Sequence, residues 1–220
     1  DLLGGVGEGV AGMKEGQARD LVVKLMGRGP WDMVESHPPS FPLPKRLLLH
    51  ICCGPCASSV VMRLKYFYGV DVYGCFSNPN ILPREEYTLR RDGARRVAEI
   101  LDIPLLEEPY EPELWSEWVR GYEGEPEGGE RCRRCYSFRL KRTVLRAKRE
   151  GYDSFSTTLS VSPHVSSLSI SQAGREAAGS ENFPFFWDES FRKRDGYRLS
   201  ILLSKEWKLY RQNYCGCRPR

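Results

Sequence analysis

Long apolar runs are missing from this 220-residue chain. No stretch approaches the roughly 18 apolar residues that a membrane-spanning helix needs. No Gly-rich phosphate loop follows a predicted strand, which counts against a nucleotide-dependent enzyme. The chain shows no internal repeat at a fixed period, so a solenoid or propeller is excluded. It begins at Asp1 with a Gly-rich stretch that lacks the compact apolar core and small-residue cleavage site of a secretory signal. The expectation is a cytoplasmic protein. Charge of one sign is also scarce: 33 basic against 29 acidic residues leave a net +4, too little to establish nucleic-acid binding. Hydrophobic residues at 40% and charged residues at 28% are an ordinary globular balance and argue against a mostly disordered chain. The length fits one domain able to bury a proper core.

Eight cysteines are present, too few for a disulfide-dense scaffold in a chain this long. Seven of them cluster: Cys52, Cys53 and Cys56; Cys132 and Cys135; Cys215 and Cys217. Cys75 stands alone on an apolar strand and reads as core.

Residues 1–44 carry repeated Gly and Pro and read as an extension, with one short helix over 20–26. The remainder, 45–220, alternates strands and helices. Leu47–Ile51 suits a buried parallel strand. Gly54-Pro55 then turns into a helix with Val60, Leu64, Phe67 and Tyr68 on its apolar face. Further strands are expected at 70–76, near 105–106, at 154–158 and near 183–186. Further helices are expected at 84–101, 112–120 and 136–149. This pattern predicts a single-domain α/β fold with a parallel, doubly wound sheet. Ligands in such folds gather beyond the carboxyl ends of the strands.

The first cysteine cluster falls at such a strand end and helix start, where the helix N-terminus favours thiolates and therefore metal binding. Cys132-x-x-Cys135 lies among Arg131, Arg133 and Arg134, whose charge also favours thiolates. Gly216 permits a tight turn that aims Cys215 and Cys217 the same way. A structural zinc site prefers two clean C-x-x-C pairs, and this chain has one. Iron–sulfur clusters accept less regular spacings, and the spacing favours them over zinc. Seven thiolates exceed the needs of one four-ligand cluster, which leaves a second metal or a redox dithiol pair open.

Other residues join the candidate site. His164, after Ser162-Pro163, is either a proton donor or structural. His50, central in a strand, reads as a satisfied core residue. Asn78-Pro79-Asn80 either orients a ligand or closes a turn, and Glu86 is placed to face the same crevice. Residues 107–130 hold nine Glu and residues 131–149 nine Lys or Arg without an acid. These are solvated faces or a basic rim for phosphates. The tail carrying Lys205, Tyr210 and Arg211 mixes groups suited to phosphate contact and base stacking, and it also fits an ordinary amphipathic helix.

Taken in order, five stretches resemble the cobalamin-independent, iron–sulfur epoxyqueuosine reductase family known as QueH. They are Leu49-His50-Ile51-Cys52-Cys53-Gly54-Pro55-Cys56, Asn78-Pro79-Asn80-Ile81, Glu125 to Tyr136, Thr157 to His164, and Ser204-Lys205-Glu206 with Leu209 to Cys217. The resemblance implies a Rossmann-like fold of the adenine-nucleotide-α-hydrolase (HUP) type. It implies reduction of epoxyqueuosine to queuosine at the tRNA wobble position, the last step of queuosine synthesis. It further implies a [4Fe-4S] cluster and an additional mononuclear iron, with electrons from an external low-potential donor. Carried onto this sequence, Cys53, Cys132 and Cys135 become cluster ligands and Cys52 and Cys56 help hold the extra iron. Cys215 and Cys217 become further ligands or a redox pair. For the mechanism, His164 or a water on the metal is the expected proton donor, and Asn78, Asn80, Arg133, Arg134, Tyr136, Lys205, Tyr210 and Arg211 are the expected contacts to an anticodon stem-loop. Two rival readings are a zinc-stabilised RNA-binding module and another iron–sulfur tRNA-modifying enzyme.

Overall fold

The computed structural model describes residues 12–29 and 42–218; the first eleven residues, the proline-rich 30–41 stretch of the expected extension and the last two residues lie outside them. Four strands are present among the described residues: β1 (Arg46–Ile51), β2 (Asp71–Phe76), β3 (Leu105–Glu107) and β4 (Ser154–Thr157). They form one sheet in the order β3-β2-β1-β4, and every pairing is parallel. The helices are α1 (Glu15–Met26), α2 (Gly54–Val61), α3 (Arg84–Leu101), α4 (Pro112–Trp118), α5 (Glu130–Arg149), α6 (Ser167–Ser180) and α7 (Gly196–Glu206). This is a Rossmann-like α/β architecture. The chain runs outward from β1 through β2 to β3, then returns to place β4 on the other side of β1. The switch point of the sheet therefore lies at the carboxyl ends of β1 and β4, where such folds open a crevice.

Strand alternation sorts the core into two layers. Leu47, Leu49 and Ile51 of β1, with Val72 and Phe76 of β2, pack into one apolar cluster with α1, α2, α3 and α7. Leu48, Cys75 and Phe155 face the opposite cluster, with Leu140 and Val144 of α5 and Ala173 and Ala177 of α6. Cys75 is thus core, and burial pushes its thiol up to about 12. His50 is buried in the central strand with both ring nitrogens engaged: Nδ1 lies 2.9 Å from Thr157 Oγ1 and Nε2 lies 3.2 Å from the Ser77 carbonyl. Burial holds its pKa well below the ordinary value. The neutral ring donates from Nε2 and accepts at Nδ1.

Several boundaries differ from the sequence expectation. The arm helix spans 15–26 rather than 20–26, and Ala18 and Val22 bury against the core. The helix after Gly54-Pro55 continues as a π-helical segment, Met62–Phe67. The strand expected near 183–186 is a single parallel bridge between Phe155 and Phe186, because Pro184 has no amide hydrogen to extend a ladder. The helix expected at 136–149 begins at Glu130, which places Cys132 and Cys135 inside its first two turns. Helix α6 has no counterpart in the sequence reading. Its buried face is Ile170, Ala173, Gly174, Ala177 and Ala178, small residues that give a weak apolar signal. Phe186 fills the space above Gly174.

Helices α2 and α3 touch at two glycines. A Cβ on Gly54 would sit 2.5 Å from the Gly93 carbonyl oxygen, so Gly54 in the Cys-Cys-Gly-Pro-Cys stretch is required for helix–helix approach. Gly54→Ala is expected to destabilise the fold by about 1–3 kcal/mol through overpacking, read by urea unfolding. Unchanged stability would show that the two helices part without cost.

Candidate metal centre

The first cluster follows directly from the switch point. β1 ends at Ile51, Cys52 and Cys53 follow, and α2 begins at Gly54 with Cys53 as its N-cap. The Sγ atoms of Cys52, Cys53 and Cys56 all lie within 4.8 Å of one another; those of Cys52 and Cys53 are 3.7 Å apart. Thr158, just past β4, ties the two strand ends together. Its Oγ1 accepts from the Cys52 amide at 3.0 Å and donates to Cys52 Sγ at 3.2 Å.

The three thiols do not share their ionisation equally. Hydrogen bonds from Cys52 and Cys56 hold Cys53 well below the ordinary thiol value, and Gln212 adds another. The same hydrogen bonding pushes Cys52 up to about 12 and Cys56 well above its ordinary value. Cys53, at the helix N-terminus, thus has two thiols beside it; a soft metal would replace the thiol protons and let all three sulfurs bind.

A cavity of about 620 Å³ opens over this triad. Cys52, Cys56, Cys132 and Cys215 all contribute to its wall. Cys132 accepts a hydrogen bond from the Gly128 amide at 3.2 Å; burial raises its pKa. Cys135, one turn further along α5, packs with Trp115, Val119 and Cys217, and burial pushes it up to about 11. Cys217 Sγ accepts from Arg131 Nη2 at 3.3 Å. The hydrogen bond from Cys217 lowers Cys215 to about 6 and raises Cys217 in return. All donors are thiols, a set suited to zinc or to iron and sulfide. The three of the first cluster fall one short of a four-ligand site, and the same cavity presents further thiols from α5 and the tail. The residues present therefore fit an iron–sulfur centre.

The other candidate residues divide into two groups. Asn80, Tyr136, His164 and Arg211 line the cavity. Asn80 is buried with its Oδ1 unpartnered, and His164 is exposed at the wall. Asn78 lies beneath: its Nδ2 donates to the Ile51 carbonyl at 2.8 Å and its Oδ1 accepts from Arg139. Arg133 pairs with Glu130 at the surface. Arg134 stacks on Tyr122 and donates to the Trp118 carbonyl. Lys205 is exposed on the last turn of α7. Tyr210 donates to Glu86 Oε2 at 2.7 Å. None of these last four lines the cavity.

Sequence reasoning missed how the tail is held. Arg90 of α3 is buried, pairs with Glu86 at 2.6 Å, and donates to the carbonyls of Cys215 at 2.7 Å and Tyr214 at 3.0 Å. The Leu82 amide donates to the Gly216 carbonyl at 2.7 Å. Gly216 has a φ of 91°, and a Cβ there would meet the Arg90 guanidinium at 2.8 Å. Glu86 and Arg90, at i and i+4 on a helix, are legible as a pair; their grip on residues 210–216 is not. Breaking a buried pair leaves an uncompensated charge, so Arg90→Met is expected to cost about 3–5 kcal/mol. Removing Glu86 as well should recover part of that loss in a double-mutant cycle. Strict additivity of the two changes would refute the pairing.

Comparison with known proteins adds a family to this geometry. A family model described as epoxyqueuosine reductase QueH matches residues 47–218. The chain is 38% identical over 172 residues to the epoxyqueuosine reductase QueH of Acinetobacter baylyi, covering 78% of each chain. It is 36% identical over 177 residues to that of Streptococcus pyogenes, covering 78% of this chain and 68% of the relative. To that of Thermotoga maritima it is 37% identical over 174 residues, covering 78% and 88%. The matched span contains every cysteine of the three clusters. This chain belongs to the epoxyqueuosine reductase QueH family, and it is an oxidoreductase.

Proposed function

We propose that this protein reduces epoxyqueuosine to queuosine at the wobble position of tRNA, in the cytoplasm, with a [4Fe-4S] cluster and an adjacent iron as its cofactors. The observation that carries this reading is the close triad Cys52, Cys53 and Cys56, two of whose members line a cavity that also presents Cys132 and Cys215. Cys53, Cys132 and Cys135 are assigned to the cluster, Cys52 and Cys56 to the additional iron, and Cys215 and Cys217 to further ligation or a redox pair. Removing the epoxide oxygen as water consumes two electrons and two protons and leaves an alkene. Protein side chains do not supply low-potential electrons; an iron–sulfur centre held by these cysteines would supply electron transfer from an external donor, and an adjacent iron would supply Lewis-acid chemistry.

The chain's own residues receive and orient the base. A nucleotide in the anticodon loop leaves its stack at modest cost, and a cavity of about 620 Å³ has room for a nucleobase with its substituent. Asn80 offers an unpartnered amide oxygen to it. Tyr136 forms part of the wall, and Arg211, at the exposed rim, meets the flanking phosphates. His164 is placed to give a proton to the departing oxygen. Arg133, Arg134, Lys205 and Tyr210 lie outside the cavity, so their contribution to RNA binding is through the surface.

Cys53→Ser is expected to lose iron, sulfide, visible absorbance and turnover together. The assay is anaerobic reduction of epoxyqueuosine-containing tRNA by dithionite, followed by nucleoside analysis. A colourless Cys53→Ser protein that still forms queuosine would sink the assignment. A wild-type protein that holds zinc without sulfide and forms no queuosine would favour an RNA-binding module instead.

A further inference from the structure

Arg139 stands out as a buried cation without an anion. It sits on α5, is 4% exposed, and makes no ion pair with a carboxylate among the described residues. Its Nη2 donates to Asn78 Oδ1. Its Nε is buried with no hydrogen-bond partner. Arg139 also contributes to the cavity wall. Burying a guanidinium against the Asn78 amide and the Cys135 thiol with no carboxylate is unfavourable, and buried charges are ordinarily paired. Of the other buried arginines, Arg63 has Glu189 and Arg90 has Glu86, whereas Arg131 reaches the Glu123 carbonyl and the Cys217 sulfur.

Arg139 shares the cavity wall with Cys52 and Cys56 of the first cluster, Cys132 of the second and Cys215 of the third. It is thus a cation shared by all three clusters. Asn78 fixes its position, and Asn78 is itself anchored to the Ile51 carbonyl at the end of β1. The Asn-Pro-Asn turn therefore holds the guanidinium at the switch point.

We propose that Arg139 is the positioning counter-cation of the thiolate–metal centre, compensating its negative charge and so raising both its metal affinity and its reduction potential. This rests on the proposed cofactor reading for its redox part and on the thiol geometry alone for its affinity part. An added electron makes the centre more negative, and a fixed cation nearby favours that state; net charge and hydrogen bonds to sulfur are established controls of cluster potential.

The test compares wild type, Arg139→Gln and Arg139→Lys in the full chain, with thermal unfolding as a check of fold. Metal-free protein is titrated with Co²⁺ and followed by thiolate-to-cobalt charge-transfer absorbance. Reconstituted protein is titrated potentiometrically under argon with EPR detection. Arg139→Gln is expected to bind Co²⁺ ten- to a hundred-fold more weakly and to shift the midpoint potential downward. Arg139→Lys is expected to recover most of both. Wild-type affinity and potential in a folded Arg139→Gln protein would overturn the proposal. Where Arg139→Gln does not fold, Arg139→Lys decides: values close to wild type support the charge, and a full loss refutes it. A wild type that binds Co²⁺ yet takes up no iron and sulfide would refute the cofactor reading while leaving the cobalt comparison to decide the role of Arg139.

Discussion

Thiols crowded into one crevice cannot all ionise unless a cation replaces their protons, and the rest of this structure answers to that constraint. Cys52, Cys53 and Cys56 lie within 4.8 Å of one another. Their mutual hydrogen bonds lower Cys53 and raise Cys52 and Cys56. The amide end of α2 offers partial compensation for negative charge, and Arg139 lies on the same cavity wall. A soft metal bound through the sulfurs would supply the remainder.

The parallel sheet makes that crevice by topology. Reversal of strand order between β1 and β4 leaves their carboxyl ends open, and the first residues beyond each strand are the ones used: Cys52 and Cys53 after β1, Thr158 after β4. Helix α5 then brings Cys132 to the cavity wall and buries Cys135 one turn on against Trp115 and Val119. The tail crosses from α7 and is fastened by Tyr210 to Glu86, by Arg90 to Tyr214 and Cys215, and by Leu82 to Gly216. Each cysteine cluster is thus delivered by a different kind of anchor: a strand end, a helix turn and a strapped extended segment.

What could be read from the sequence follows from the range of each interaction. The strands β1 and β2, helix α3 and the three cysteine clusters were legible because each is a local pattern: an apolar run, a helical stripe, a short spacing. His50 and Cys75 were legible as core because they sit within such runs. Helix α6 was not, since Gly174 and its alanines are apolar only in the company of Phe186. The roles of Arg139 and Arg90 were hidden for a different reason. Each looks like one more basic residue on an amphipathic helix, and only tertiary packing shows that they are buried against Asn78 and the tail carbonyls. The strand expected at 183–186 failed at Pro184, where an apolar run suggested pairing that the missing amide hydrogen limits to one bridge.

The central claim is that thiols from the start, middle and end of the fold converge on one iron–sulfur centre. Its most direct test is a crystal structure of anaerobically purified protein with anomalous data collected above and below the iron edge. The account predicts iron peaks bonded to sulfurs from both the Cys52-Cys53-Cys56 cluster and the Cys132-Cys135 pair, with inorganic sulfide between them. A zinc-edge peak in their place, or all of the iron bound by one cysteine cluster alone, would contradict it.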